Sequence, residues 1–390
     1  MVRSSGQEES VIQIVDTILH KAIDCCASDI HIEPNDHQLR IRFRLDGLLY
    51  DQEPQTVSVM NQVISRIKVL SSINIAEKRI PQDGKFRIIQ GGKEIDLRVS
   101  TFPSRCGEKV VVRILDRSAN MLELNMLGFS DSIGEQFAQL VNRSSGFFLV
   151  SGPTGSGKTT TLYAVLSALN NPEKNIITLE DPVEYNLEGV TQGQIHPDAG
   201  FTFARGMRSL LRQDPDIVLV GEIRDKETAQ IAIEAALTGH VVLSTVHTND
   251  APSVIMRLMD MGIEPFLINS ALTGVLAQRL ARKVCPECRH AYEPNEQERM
   301  IIDRLGINVD RLYKGKGCAA CNNLGYKGRT GIFELLSMTN KLRSLIGQNP
   351  SFDSIYGQAL NEGMRPLLHD AAEKVKTGIT TLEELLRSVS

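Results

Sequence analysis

The chain has 390 residues, 42% of them apolar, and a formal net charge of −4. That length supports two or three domains with cores of their own, and the mild acidity, with no block of five Lys/Arg, argues that nucleic acid is not a partner. No apolar run approaches the roughly eighteen residues that cross a bilayer, and Met1-Val2-Arg3-Ser4-Ser5-Gly6 lacks a signal-peptide core, so the expectation is a cytoplasmic protein that meets membranes only through partners.

Val11, Ile14, Val15, Ile18, Leu19, Ala22 and Ile23 recur at helical spacing and predict an amphipathic helix over 10–26. Ile30 and Ile32, then Leu39, Ile41, Phe43 and Leu45, alternate with polar residues as strands do, and Asp46-Gly47 marks a turn. A second helix is expected over 60–70, with Val63, Ile64, Ile67 and Leu70 on one face. Strands follow at 86–89, 95–99 and 110–115, the first two separated by Gly91-Gly92. Residues 1–116 therefore read as an α+β domain on a small, largely antiparallel sheet.

Residues 117–145 read as a linker region with a short helix near 131–142. From 146 onward strand and helix patterns alternate. Phe147–Val150, Ile176–Leu179, Ile217–Val220 and Val241–Ser244 are near-continuous apolar runs, as in strands buried on both faces of a mainly parallel sheet, and helices are expected at 160–169 and 227–237. This is the pattern of a nucleotide-binding α/β domain, whose ligand lies at the C-terminal ends of the strands.

The first of those strands runs into Gly152-Pro153-Thr154-Gly155-Ser156-Gly157-Lys158-Thr159, and a helix follows from Thr160. In such a turn the backbone N–H groups and the helix N-terminus cradle a polyphosphate, Lys158 reaches its outer phosphates and Thr159 holds Mg²⁺. The substrate expected is ATP. Glu180-Asp181, with Glu184, follows the second strand, and Gly221-Glu222 follows the third. A phosphate-binding fold commonly ends the latter strand in Asp then Glu; here Gly221 takes the Asp place. Glu222 is left to order the Mg²⁺ shell or the attacking water, and Glu180 and Asp181 either share that work or are ordinary carboxylates at a strand end. His240 and His247 flank the fourth strand; a side chain just past it either reports the γ-phosphate or is a hydrogen-bonded structural histidine.

Seven cysteines do not suit a disulfide framework, but four of them form Cys285-x-x-Cys288 and Cys318-x-x-Cys321. Four thiolates close a tetrahedral shell around zinc with no open position, so the role expected is structural.

These strings, with Ala27-Ser28-Asp29-Ile30-His31-Ile32-Glu33, Arg79-Ile80-Pro81-Gln82-Asp83-Gly84, Leu179–Tyr185, Gly221–Asp225, Gly239–Asn249 and Gly328-Arg329-Thr330-Gly331-Ile332, follow one another in a recognisable order. The chain resembles the secretion and pilus-assembly ATPases over nearly its whole length, specifically the assembly ATPases E of type II secretion. The resemblance implies a PAS-like N-terminal domain and a RecA-like ATPase domain over 146–390, with a zinc-binding subdomain at 283–325 and a helical C-terminal region. It also implies a hexameric ring that drives pseudopilus assembly with inner-membrane secretion-system proteins of the platform and docking kind. Arginines at Arg98 and Arg113 in the first domain, and Arg208 and Arg212 in the second, are implied to close over the γ-phosphate; taken alone, each reads as a solvated surface residue. Family members carry a further N-terminal domain that docks on an inner-membrane partner, whereas this chain begins almost at the helix of the PAS-like domain. Pilus-extension ATPases share almost every motif and are the alternative, while retraction ATPases usually lack the cysteines. A nucleic-acid translocase on the same core would need a basic stripe, and a regulatory nucleotide-dependent binding module would keep its partner without turnover at Glu222.

Overall fold

The first helix, α1 (Val11–Asp24), starts at a capping box: the Ser10 hydroxyl accepts from the Gln13 N–H, and the Gln13 side chain accepts from the Ser10 N–H. Its buried stripe is Ile14, Val15, Ile18, Leu19 and Ala22. The computed structural model describes residues 10–116, 123–348 and 350–389, and the chain divides into two units, Met1–Asn120 and Met121–Ser390.

In the first unit, β1 (Asp29–Pro34), β2 (Gln38–Leu45), β3 (Leu48–Asp51) and β4 (Gln55–Thr56) lead into α2 (Val57–Leu70), and β5 (Gln82–Gln90), β6 (Lys93–Ser104) and β7 (Gly107–Asp116) follow. Every pairing is antiparallel, in the order β3-β2-β1-β7-β6-β5, with β4 also on β2. Strict alternation puts Leu39, Ile41, Phe43 and Leu45 of β2 in the core and leaves Arg40, Arg42 and Arg44 on the other face. There the charges interlock. Glu33 is bound by Arg42 and Lys109; although burial pushes its carboxyl up, those two cations hold it at about 2. The unit is a PAS-like α+β fold.

The second unit opens with α3 (Asp131–Val141), then β8 (Gly146–Ser151), α4 (Lys158–Leu169), β9 (Ile176–Glu180), β10 (Thr191–Gln194), α5 (Phe203–Leu210), β11 (Ile217–Val220), α6 (Lys226–Leu237), β12 (Val241–Val246), α7 (Pro252–Asp260), α8 (Pro265–Ala271) and β13 (Leu272–Val284). A small module of β14 (Arg289–Tyr292), α9 (Glu296–Leu305) and β15 (Leu312–Gly315) separates β13 from β16 (Tyr326–Ser337). Among the described residues four helices follow: α10 (Asn340–Ile346), α11 (Phe352–Asn361), α12 (Leu367–Lys376) and α13 (Leu382–Val389).

The main sheet runs β10-β9-β11-β12-β8-β13-β16, parallel from β10 to β13, with β16 antiparallel at its edge. Both faces are covered, which is why β8, β9, β11 and β12 read as near-continuous apolar runs. Phe147 and Leu149 join the core packed by α5, α6, α7 and α8, whereas Phe148 and Val150 join the core packed by α3 and α4. The result is a RecA-like α/β sheet with β8, the strand before the glycine-rich loop, in its interior.

Candidate nucleotide site and tetracysteine centre

β8 ends at Ser151, and the chain turns at once. Gly152 has φ +146°, and a Cβ there would lie 2.4 Å from the Gln278 carbonyl oxygen and 2.6 Å from Ser156 Oγ, so only glycine fits. Gly157, at φ +86°, then starts α4 with Lys158 as its first residue. The Lys158 ammonium curls back over the loop, donating to Gly152 O at 2.7 Å and Pro153 O at 3.1 Å. Burial pushes its pKa down to about 8; nearby Glu222 opposes that fall and Arg279 adds to it. Pro153, Thr154, Gly155 and Thr159 are exposed and Thr160 is half-buried, so the open side of the loop faces solvent. Ser151 and Ser156 bury hydroxyl oxygens that have no protein partner among the described residues. A glycine-walled cradle with a buried cation and an unsatisfied hydroxyl fits a polyphosphate.

Gln278, on β13, holds the loop in place. Its Nε2 donates to Ser156 O at 2.8 Å, and its Oε1 accepts from Thr161 Oγ1 at 2.7 Å. It is fully buried, bridging the loop and the first turn of α4. No local sequence pattern announces this contact, because the two residues of each bond are more than a hundred positions apart and meet only through the pairing of β8 with β13.

Glu222 stands two residues past the end of β11. Its carboxylate pairs with Arg224 at 2.5 Å and lies 3.6 Å from His247 Nε2. Gly221 packs closely on β9, where a Cβ would come 3.2 Å from Leu179 O. Asp181 is exposed; after Glu222, it helps raise the pKa of Arg224. Glu180 is oriented differently. It is buried, with Tyr163 and Thr178 donating to its two oxygens and Gln192 Nε2 donating at 3.2 Å, a network joining α4, β9 and β10. Burial, reinforced by Glu180, drives the Tyr163 phenol far above its ordinary range and keeps it a donor.

His240 lies before β12, where its Nδ1 is 2.9 Å from Ala235 O and 3.2 Å from Thr238 Oγ1 at the end of α6. Arg208 pairs with Glu227 at 2.6 Å, and Arg212 donates to the Arg208 carbonyl; neither bonds to the loop or to Glu222. In the first unit Arg98 and Arg113 stand opposite each other across β6 and β7, both exposed, and Arg113 Nε donates to Asp29 Oδ1 at 3.1 Å. Within the second unit, then, the fold gathers Lys158, Glu222, Arg224 and His247 and adds Gln278 and Arg279, which the sequence motifs do not include.

The four cysteines converge. Their Sγ atoms all lie within 4.8 Å of one another, with Cys285 to Cys318 at 3.8 Å, Cys288 to Cys321 at 3.9 Å and Cys318 to Cys321 at 3.7 Å. Thiolates around one zinc, with Zn–S near 2.3 Å, would sit about 3.8 Å apart. The N–H groups of Cys318 and Gly325 both point at Cys321 Sγ, at 3.3 Å, an arrangement that favours a thiolate.

A sequence model of the family described as Type II/IV secretion system protein matches residues 4–387. The chain belongs to that family. It is 48% identical over 387 residues to the type II secretion system ATPase E of Vibrio cholerae, covering 98% of this chain and 76% of that one. It is 46% identical to the type IV pilus assembly ATPase PilB of Myxococcus xanthus, covering 98% of this chain and 68% of that protein. Among solved structures, the pilus retraction motor PilT, solved with ADP bound, aligns over 95% of both chains with a TM-score of 0.63 and 27% identity. The ATPase DotB of Legionella pneumophila, at 19% identity and a TM-score of 0.71, shares the fold.

Proposed function

We propose that this family member is the motor ATPase of a type II secretion apparatus, a cytoplasmic hexamer that hydrolyses ATP and passes the work to pseudopilus assembly and protein export. The observation that carries the reading is a loop shaped for polyphosphate, whose Gly152 admits no Cβ and whose carbonyls hold buried Lys158, with Glu222 near enough to act on that charge and 3.6 Å from His247. The loop N–H groups from Gly152 to Thr160 would hold the phosphates, Lys158 would neutralise the outer ones, and Thr159 would bind Mg²⁺, which screens the charge of the transferring group. Glu222 would orient the attacking water, its carboxylate held by Arg224 and positioned beside His247. Asp181 and Glu180 support that shell, the latter through its buried network. The tetracysteine centre takes zinc as a structural ion. Contact with the inner membrane comes through the docking and platform proteins of the apparatus. The 46% identity to a pilus assembly ATPase supports a second reading, pilus extension, in which the chemistry is the same and the partners differ.

The test is Glu222→Gln. It leaves the cradle intact and removes the charge that orients water, so ATP should still bind while turnover falls about a hundredfold or more. Phosphate release at the wild-type rate would overturn the assignment. Co-purification with type II secretion or pilus inner-membrane proteins separates the two readings of the partner.

A further inference from the structure

Arg279 lies on β13 beside Gln278, and the chemistry above gives it no task. Its Nη1 donates to Gln278 O at 3.1 Å and its Nη2 to Asn249 O at 2.7 Å. The first of these carbonyls is the one that a Cβ on Gly152 would meet at 2.4 Å, so the guanidinium is separated from the first glycine of the loop by a single carbonyl. Lys158 binds the same residue, donating to Gly152 O. The second carbonyl belongs to the string after β12, two residues past His247, which faces Glu222. Two cations therefore lie around one glycine, and one of them, Lys158, also feels the charge of Glu222.

The charge is not balanced from within. Among the described residues no carboxylate lies within ion-pair distance of Arg279; Glu334 and Asp250 act on it only through space, and Glu334 already accepts from the N–H groups of Ala251 and Leu367. Burial lowers the pKa of Arg279, and Arg279 in turn helps lower that of Lys158. A strut between β13 and the string after β12 would need only donors for two carbonyls. A neutral amide could supply those without desolvating a charge. A half-buried guanidinium that bonds only to carbonyls, next to a buried ammonium, is built for an anion that arrives from outside.

We propose that Arg279 contacts the terminal phosphate of the bound triphosphate from within the same chain, together with Lys158. The inference rests on the nucleotide reading of the loop. Guanidinium N–H groups not committed to the two carbonyls would bind the phosphate oxygens, and ADP, lacking that phosphate, would not engage them.

The test uses the full chain, Mg²⁺ and two probes, ADP and the non-hydrolysable analogue AMP-PNP, with Kd measured for Arg279→Ala, Arg279→Lys and Arg279→Gln. Loss of a charge-assisted bond should weaken AMP-PNP about tenfold or more, leave ADP within about twofold, and be partly repaired by Lys but not by Gln. Lys keeps the charge and Gln keeps a polar side chain without it, so a folding defect in the Ala variant does not remove the test. Equal losses for the two nucleotides, or a wild-type ratio in Arg279→Gln, would reduce Arg279 to a strut and overturn the proposal. A wild-type chain that binds neither probe would instead overturn the nucleotide reading beneath it.

Discussion

Lys158 shows how a single side chain is tuned by its surroundings. Its ammonium is held by two carbonyl oxygens and buried deeply enough that its pKa lies at about 8. A triphosphate brings negative charge and must raise that value, so binding takes up a proton wherever the free chain has begun to lose one. Affinity for ATP should therefore be level through pH 7 and fall as the pH climbs past about 8, by up to about tenfold per pH unit. The sign follows from the charged form being the one that binds. Titration calorimetry at pH 7 and pH 9 checks it, and Lys158→Ala should lose both the affinity and the pH dependence. Affinity that stays level to pH 9.5 would mean that Lys158 is not the phosphate ligand.

At the scale of elements, β13 ties the site together. Gln278 clamps the loop, Arg279 stands beside Gly152, Arg282 forms a buried ion pair with Glu384 of α13 while lying 3.9 Å over the Tyr326 ring, and Cys285 begins one step past its end. Glu384 is pushed up by burial, yet Arg387 and Arg282 hold it at about 2. Apart from Cys285, none of this was legible in the sequence. In 272–284 the apolar alternation is interrupted by buried Gln278 and Arg282, which have partners only after β13 has been laid beside β8 and α13. By contrast, Phe147–Val150 is apolar throughout, and Val241–Ser244 is apolar up to Ser244, because helices cover both faces, and the glycine loop is local, so both could be read directly. The cysteines were legible as pairs because four soft ligands at two-residue spacing are rare without metal. Purified protein should carry close to one zinc per chain, and Cys288→Ser should lower that content and make the 285–325 segment an early site of proteolysis or hydrogen exchange. Wild-type protein that is metal-free yet equally protected in this segment would rule out the structural ion.

At the scale of the molecule, the loop, Lys158 and Glu222 lie in the second unit, whereas Arg98 and Arg113, which the family resemblance adds, lie in the first. No helix among the described residues is long and apolar enough to cross a membrane. The first unit was legible from the strict alternation in β2 and the hairpin turns, and its outer face, with Arg40, Arg42, Arg44, Arg98 and Arg113, follows from the same alternation. What alternation cannot say is which of these cations serve folding and which serve a ligand. Glu33 and Asp29 occupy Arg42 and Arg113, while Arg98 is exposed. We propose that Arg98 and Arg113 act on ATP bound to the second unit of the same or a neighbouring copy, and that a hexameric ring couples six such events. A lone chain should then be a poor enzyme: phosphate release per chain should rise with protein concentration or with forced hexamerisation. Arg98→Ala or Arg113→Ala should reduce turnover by about a thousandfold while changing ATP affinity far less, as for a cation that serves the transition state. Arg113→Ala also takes one partner from Asp29, which keeps Arg44 and Ser28, so a melting curve must accompany it; Arg98→Ala breaks no ion pair among the described residues. Activity per chain that is independent of concentration across a verified monomer-to-hexamer transition would break the coupling and favour a nucleotide-dependent binding module over a motor.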